Sequence, residues 1–221
     1  MKLLIGAVTK FLAGLLLVAA LVFLPAGTFD FLGGWLFLGV LFIPIFILGI
    51  ILLIKSPDLL KKRLDAKEKQ STQKGVVALS GLMFLGGFVL AGLDYRFSWS
   101  KVPLWVTITA MTLFVISYLL YAEVMRENAY LSRTIKVEEN QKVISTGLYG
   151  IVRHPMYSVT ILMFMMIPLI LGSWCALIVF AIYPILMAIR VLDEEKLLTK
   201  DLDGYAEYKQ KVKWRLIPFV W

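Results

Sequence analysis

The chain has 221 residues, 60% of them hydrophobic, with mean hydropathy +0.82 and a net charge of +8. This composition excludes an ordinary soluble domain, which needs far more polar surface. A lone cysteine, Cys175, excludes an intramolecular disulfide framework and a cysteine-built zinc site.

In chain order, four apolar runs come first, at about 11–24, 31–54, 76–93 and 102–124. Each approaches the length of about 20 residues that crosses a bilayer. Lys2 and Lys10 precede the first run in the manner of a secretory leader. The stretch around Ala19, Ala20, Pro25 and Ala26 offers only a weak cleavage site, so the run is expected to persist as a span. Pro44 should kink the second span.

Polar segment 55–74 follows the second span, with seven Lys or Arg against Asp58, Asp65 and Glu68. Segment 126–158 follows the fourth and carries Arg126, Arg133, Lys136, Lys142 and Arg153. Seven basic residues lie from Arg190 onward. With the N-terminus in the cytoplasm and one crossing per run, nearly all positive charge falls inside, as the positive-inside rule requires. The short connections near 27–30 and 94–101 fall outside, and there Asp94 and Arg96 are expected to pair locally. Basic residues beside membrane spans serve anionic lipid headgroups, so no nucleic-acid partner is expected.

The apolar stretch 159–189 is long for one span and short for two. Pro168, Gly172-Ser173 and Pro184 punctuate it. Two short helices joined near Gly172-Ser173 would return the chain to the cytoplasm; one long tilted helix would export the charged tail. The tail 193–213 has Leu197, Leu198, Leu202, Tyr205 and Tyr208 at helical spacing and reads as one amphipathic helix. Trp214 and Trp221 suit the headgroup level. The expected fold is an all-α integral membrane protein, a bundle of about six membrane-embedded helices with a cytoplasmic C-terminal cofactor pocket. Residues 1–125 form a four-span membrane region, and residues 126–221 the cofactor-binding region.

Polar groups near a bilayer are costly and need a reason. Thr146 to Ser158, TGLYGIVRHPMYS, holds the only histidine, His154, beside Arg153, Pro155, Tyr149 and Tyr157. Pro155 biases His154 away from helix and suits the first turn of the next one. That helix start could hold an anionic group on its backbone N–H groups. Taken alone, the segment also suits a loop resting on lipid phosphates. A second cluster is Arg190, Asp193, Glu194 and Glu195, in which Arg190 and Glu194 share a helix face. Taken alone, it suits a solvated helix end.

The ordered set Arg153-His154-Pro155-x-Tyr157, Arg190-x-x-x-Glu194-Glu195 and Gly204-Tyr205-x-x-Tyr208 resembles the isoprenylcysteine carboxyl methyltransferase family. Its prokaryotic relatives and the phospholipid methyltransferases share the pattern. The resemblance runs from about Asn128 to Trp221. It implies S-adenosylmethionine as methyl donor, a lipophilic small-molecule acceptor taken from the membrane lipids, and no metal. It implies that a strand-like Gln141-Lys142-Val143-Ile144, with Tyr149, His154, Pro155, Met156, Tyr157 and Glu194, binds the cofactor. Arg190 would face the acceptor, so Arg190, Glu194 and His154 are the implied catalytic set. Eukaryotic members usually carry His at Gln141 and Ser at Met156, departures that bear on the acceptor more than on the donor.

Methyl transfer from a sulfonium asks mainly for proximity, orientation and exclusion of water. A carboxylate acceptor is ionised at neutral pH and needs no base. An amine or hydroxyl would need one, and His154 is then the first candidate. Two other readings stay open at this point. One is an NADPH-dependent membrane reductase of the steroid-reductase type, which should add cations for a 2′-phosphate. The other is a non-catalytic transporter or lipid-binding protein.

Overall fold

The computed structural model describes residues 2–64, 71–131 and 141–221. Asp65 and Glu68 of the first polar segment, and Arg133 and Lys136 of the second, lie outside the described residues. The elements are α1 (Lys2–Ala26), α2 (Leu32–Lys55), α3 (Pro57–Leu64), α4 (Ser71–Phe97), α5 (Leu104–Glu127), α6 (Pro155–Ile170), α7 (Trp174–Phe180), α8 (Tyr183–Asp201) and α9 (Tyr205–Lys211). Helices are the only regular elements among the described residues, apart from a 3₁₀ turn at Gly147–Gly150. The fold is all-α.

Five helical stretches are long and apolar enough to cross a membrane: α1, α2, most of α4, α5, and α7 continued by α8. The shorter apolar α6 makes a sixth embedded element. Leu16, Ile54, Leu119 and Ile178 point large apolar side chains outward. Such helices are apolar all round, which suits lipid rather than water as their surroundings. Pro44 lies within an unbroken α2.

The stretch 159–189 is two antiparallel arms, not one rod. Leu171, Gly172 and Ser173 turn the chain, with Gly172 at φ +78°, where glycine avoids the steric cost of a Cβ. Phe164 then meets Tyr183 at 4.9 Å between ring centroids. Nearer the arms' far ends, Tyr157 meets Arg190 and His154 meets Glu195. Ser173 caps α7 by accepting from the Ala176 N–H.

The Asp94–Arg96 pairing is corrected here. Asp94 is buried and accepts from the Ser100 N–H and hydroxyl at 2.6 Å each, and from the Ser173 hydroxyl. A buried carboxylate needs donors, and these hydroxyls lie closer to hand than an arginine. The Arg96 guanidinium instead lies over Phe97. This serine-bonded end is opposite the end that carries α3, the 3₁₀ turn and the charged half of α8.

α1 packs on α4 where Gly92 lets the backbones meet. A Cβ at Gly92 would lie 2.6 Å from the Val22 carbonyl oxygen, and backbone cannot yield. Small residues at helix contacts are how membrane helices pack closely. Gly92→Ala is expected to cost about 1–3 kcal/mol by overpacking, read as a lower thermal midpoint in detergent. An unchanged midpoint would show that α1 and α4 do not meet at Gly92.

The tail is not one amphipathic helix. α8 ends at Asp201, Leu202 is extended, and Gly204 sits at φ +80° before α9 begins. Leu202, Tyr205, Tyr208 and Val212 thus turn inward and pack with Val143 and Leu198. Helical spacing was continuous across Gly204, but the left-handed glycine breaks the rod and folds its apolar stripe onto the neighbouring loop.

Candidate active site

Two clefts lie back to back at the α3 end of the bundle. The first encloses about 780 Å³, solvent at its mouth included. Its walls are the turn after α5 (Asn128, Tyr130, Leu131), residues 141–144, the turn carrying Tyr149, the start of α6, the charged half of α8, and Tyr205 and Tyr208. The second, about 1240 Å³ counted the same way, lies among α4, α5, α6 and α8. Met156 and Tyr157 line both and form the wall between them.

Glycine shapes the first wall. Gly147 has φ +51°, and a Cβ there would collide with the Glu127 carboxylate. Glu127 can therefore accept the Leu148 N–H at 3.2 Å and pin the 3₁₀ turn to α5. Tyr149 is held from both sides. Its hydroxyl accepts from Asn128 at 2.9 Å and its carbonyl accepts from the Tyr208 hydroxyl at 2.7 Å. Burial pushes the Tyr149 phenol up to about 12, and burial likewise raises Tyr205 and Tyr208. All three phenols are neutral hydroxyls at physiological pH.

Below the first cleft sits a buried ionic knot. Glu195, 4% exposed, accepts from Arg153 Nε at 2.6 Å and from Arg215 Nε at 3.0 Å, and lies 3.4 Å from His154 Nε2. The Tyr205 hydroxyl lies 3.4 Å from the same His154 nitrogen. Arg153 also donates to the carbonyls of Val212 and Lys213. The Arg153 and His154 N–H groups donate to the Trp214 and Arg215 carbonyls, and the Ser158 hydroxyl to Leu216 O. Residues 212–216 are thus stitched across the RHP turn.

Above the knot, Tyr157 joins the two clefts. Its hydroxyl donates to Glu194 Oε2 at 2.7 Å and accepts from Arg190 Nε at 3.0 Å. Arg190 Nη1 donates to Gln73 Oε1 at 3.0 Å, and Gln73 Nε2 donates to Asp193 Oδ2 at 2.7 Å. Glu194 faces the first cleft and Arg190 the second. Their shared helix face resolves into two faces of one wall.

Residues 105–203 match the family model for phospholipid methyltransferase.

The match bears out the resemblance to membrane methyltransferases read from the sequence. No curated protein is similar enough to the chain to count as a relative. The phospholipid methyltransferase-like region runs from α5 to the end of α8 and contains the RHP turn, Tyr157, Arg190, Glu194 and Glu195. α3, Gln73 and the stitched segment 212–216 lie outside it.

Within this region, Gln141, Lys142, Val143, Ile144, Tyr149, His154, Met156, Tyr157 and Glu194 all line the first cleft. Pro155 does not. It is fully buried at the first position of α6, where its missing N–H costs nothing. The stretch Gln141–Ile144 carries no strand, and no strand lies beside it among the described residues; it lines the cleft without regular structure. Arg190 lines the second cleft. His154 does not line that cleft, so its imidazole is not placed to take a proton from a molecule there.

Sequence reasoning missed Asn128 and Gln73. Asn128 carried no pattern beyond its place after an apolar run. Gln73, fully buried, lay in a segment read as a polar, basic connection on the inner side. One signal was available: a neutral amide among lysines at the start of a span.

If Tyr157 is the joint between the clefts, Tyr157→Phe keeps the ring and removes both hydrogen bonds. A bond to a charged group contributes about 1.5–3 kcal/mol, so if the first cleft takes the donor that the resemblance implies, S-adenosylhomocysteine should bind this variant about tenfold or more weakly with little change in folding. Wild-type affinity in this variant would remove Tyr157 from the assignment.

Proposed function

We propose that the chain transfers a methyl group from S-adenosylmethionine to a lipophilic acceptor, with the donor in the first cleft and the acceptor in the second. The observation that carries this reading is the shared wall, Met156 and Tyr157, between a polar cleft and a mainly apolar one. The family match supports methyl transfer to a lipid-type substrate.

The first cleft's side chains suit the donor. Val143, Ile144, Leu198 and Leu202 give a planar base an apolar bed, while Glu194, Asn128 and Gln141 offer acceptors and donors for ribose hydroxyls or an amino group. S-adenosylmethionine supplies an activated methyl group whose bond to sulfur breaks, leaving the electron pair on sulfur, as the acceptor's lone pair forms the new bond. Glu194 binds; Tyr157 fixes the Glu194 carboxylate by donating to it; Arg190 grips the acceptor's polar group. The apolar side chains of α4 and α6 exclude water from the acceptor's tail. On this reading residues 1–125 are largely scaffold, and residues 126–221 bind the donor. The lysines and arginines gathered at the cleft end support a cytoplasmic location for that end, by the positive-inside rule.

Titration of the purified protein with S-adenosylhomocysteine and with NADPH tests the donor. Saturable binding of S-adenosylhomocysteine alone is expected. Saturable binding of NADPH alone would overturn the reading in favour of a reductase.

A further inference from the structure

Three apolar side chains past α9 point away from the protein. Phe219, 86% exposed, is the most exposed large apolar side chain among the described residues, and its neighbour Val220 is 72% exposed. Ile217 is 52% exposed. All three lie outside every spanning helix, so lipid around the spans does not by itself account for them.

The loop that carries them is closed and rooted. The N–H groups of Arg215, Leu216 and Ile217 all donate to the Trp221 carbonyl oxygen, at 2.9, 2.9 and 3.1 Å. The Val220 and Trp221 N–H groups donate back to the Ile217 oxygen at 3.1 Å each. Leu216 at the base is buried, and Trp221 packs against the main core. The Trp214 and Phe219 rings meet at 5.6 Å. Phe219 has φ +65°, a left-handed conformation that aromatic residues rarely adopt. Strain of this kind persists only where its surroundings over-determine it, and it points to a use. Here the result is a ring held outward from a backbone fastened on both sides.

Level and charge identify what covers the tip. The Ser158 hydroxyl donates to the Leu216 oxygen, and Ser158 lies in the first turn of the embedded helix α6. The loop thus stands where a membrane helix enters the bilayer, between two tryptophans of the kind that sit among headgroups. From Tyr208 to Trp221 the chain carries Lys209, Lys211, Lys213 and Arg215 and no acidic residue. Arg215 is engaged by Glu195, whereas Lys211 and Lys213 are exposed. An apolar tip behind exposed lysines matches a leaflet of anionic lipid: hydrocarbon takes the tip and headgroup phosphates take the ammonium groups. A second copy meeting tip to tip would bring like charges together.

We infer that Ile217, Phe219 and Val220 form a membrane seat, a preset tip inserted into the leaflet at the cleft end with Lys211 and Lys213 on anionic headgroups. Residues 212–216 cross the RHP turn on the way to this tip, so the seat also holds the floor of the first cleft against the bilayer. The inference needs no assignment of donor or acceptor.

The test places a dansyl label on Val220→Cys, in a Cys175→Ser background, with the full-length protein in phosphatidylcholine vesicles with and without phosphatidylglycerol. Gln210→Cys, exposed on α9, is the reference. Ile217→Cys gives an independent reading should a label at 220 disturb the loop. A nitroxide carried on a lipid chain is expected to quench the label at 220 or 217 and spare the one at 210. Acrylamide, present on both faces, should do the reverse. Phosphatidylglycerol should lower acrylamide quenching at 220 about twofold, and Lys211→Gln with Lys213→Gln should abolish that response. Equal acrylamide quenching at the tip and at 210 overturns the seat. Shielding of the tip from both quenchers overturns it too, since protein rather than lipid would then cover it. An absent response to phosphatidylglycerol overturns the anionic partner.

Discussion

Glu195→Ala is expected to cost about 3–5 kcal/mol of stability, the usual penalty for removing one partner from a buried ion pair. The carboxylate joins three parts of the chain: Arg153 in the RHP turn, its own helix α8, and Arg215 in the stitched segment. Without it two guanidiniums lose their charge partner, one of them nearly fully buried. The floor of the first cleft should loosen, and the protein should lose folded yield and thermal midpoint together. Glu195→Gln keeps the volume and loses the charge, so it should behave almost as badly. A stable, well-folded alanine variant would mean that the knot does not hold the turn to the tail.

The neighbouring substitution has the opposite profile. Glu194→Ala should leave the fold intact, since Glu194 lines the cleft rather than the core. Its carboxylate is the only anionic side chain among the described residues lining that cleft. Loss of a hydrogen bond to a charged group, about 1.5–3 kcal/mol, converts to roughly a 10- to 150-fold weaker affinity for S-adenosylhomocysteine. Isothermal titration of the wild type and the variant measures it. Equal affinities would exclude Glu194 from donor binding. Two adjacent glutamates thus serve separate ends because α8 turns about 100° per residue, aiming one at the cleft and one at the knot.

That division explains which parts were legible in the sequence. The spans were legible because an apolar run of sufficient length in a basic chain has few other uses, and α1, α2, α4 and α5 fall where those runs fall. The hairpin was legible from Gly172-Ser173 and from the side on which charge accumulates. The cleft residues were legible only as an ordered set, since RHP alone, or Arg190 with Glu194 alone, suits a lipid-facing loop or a helix end. Pairings across the bundle were not legible. Nothing at Gln73 or Arg63 names a partner, because their partners are 120 and 58 residues distant and meet only when α4 packs on α8 and α3 docks on α5. The tail was misread because helical periodicity is blind to one left-handed residue, and Gly204 supplies it.

The stitched segment carries a consequence for biosynthesis. The RHP turn emerges from the ribosome some 60 residues ahead of the backbone carbonyls at Trp214 and Arg215 that it bonds. The first four long spans, which end at Glu127, can be threaded into the bilayer while that partner is still untranslated. A nascent chain is therefore membrane-inserted well before its turn is fastened, and any ribosome stalled short of Trp214 leaves behind an inserted but unfinished protein.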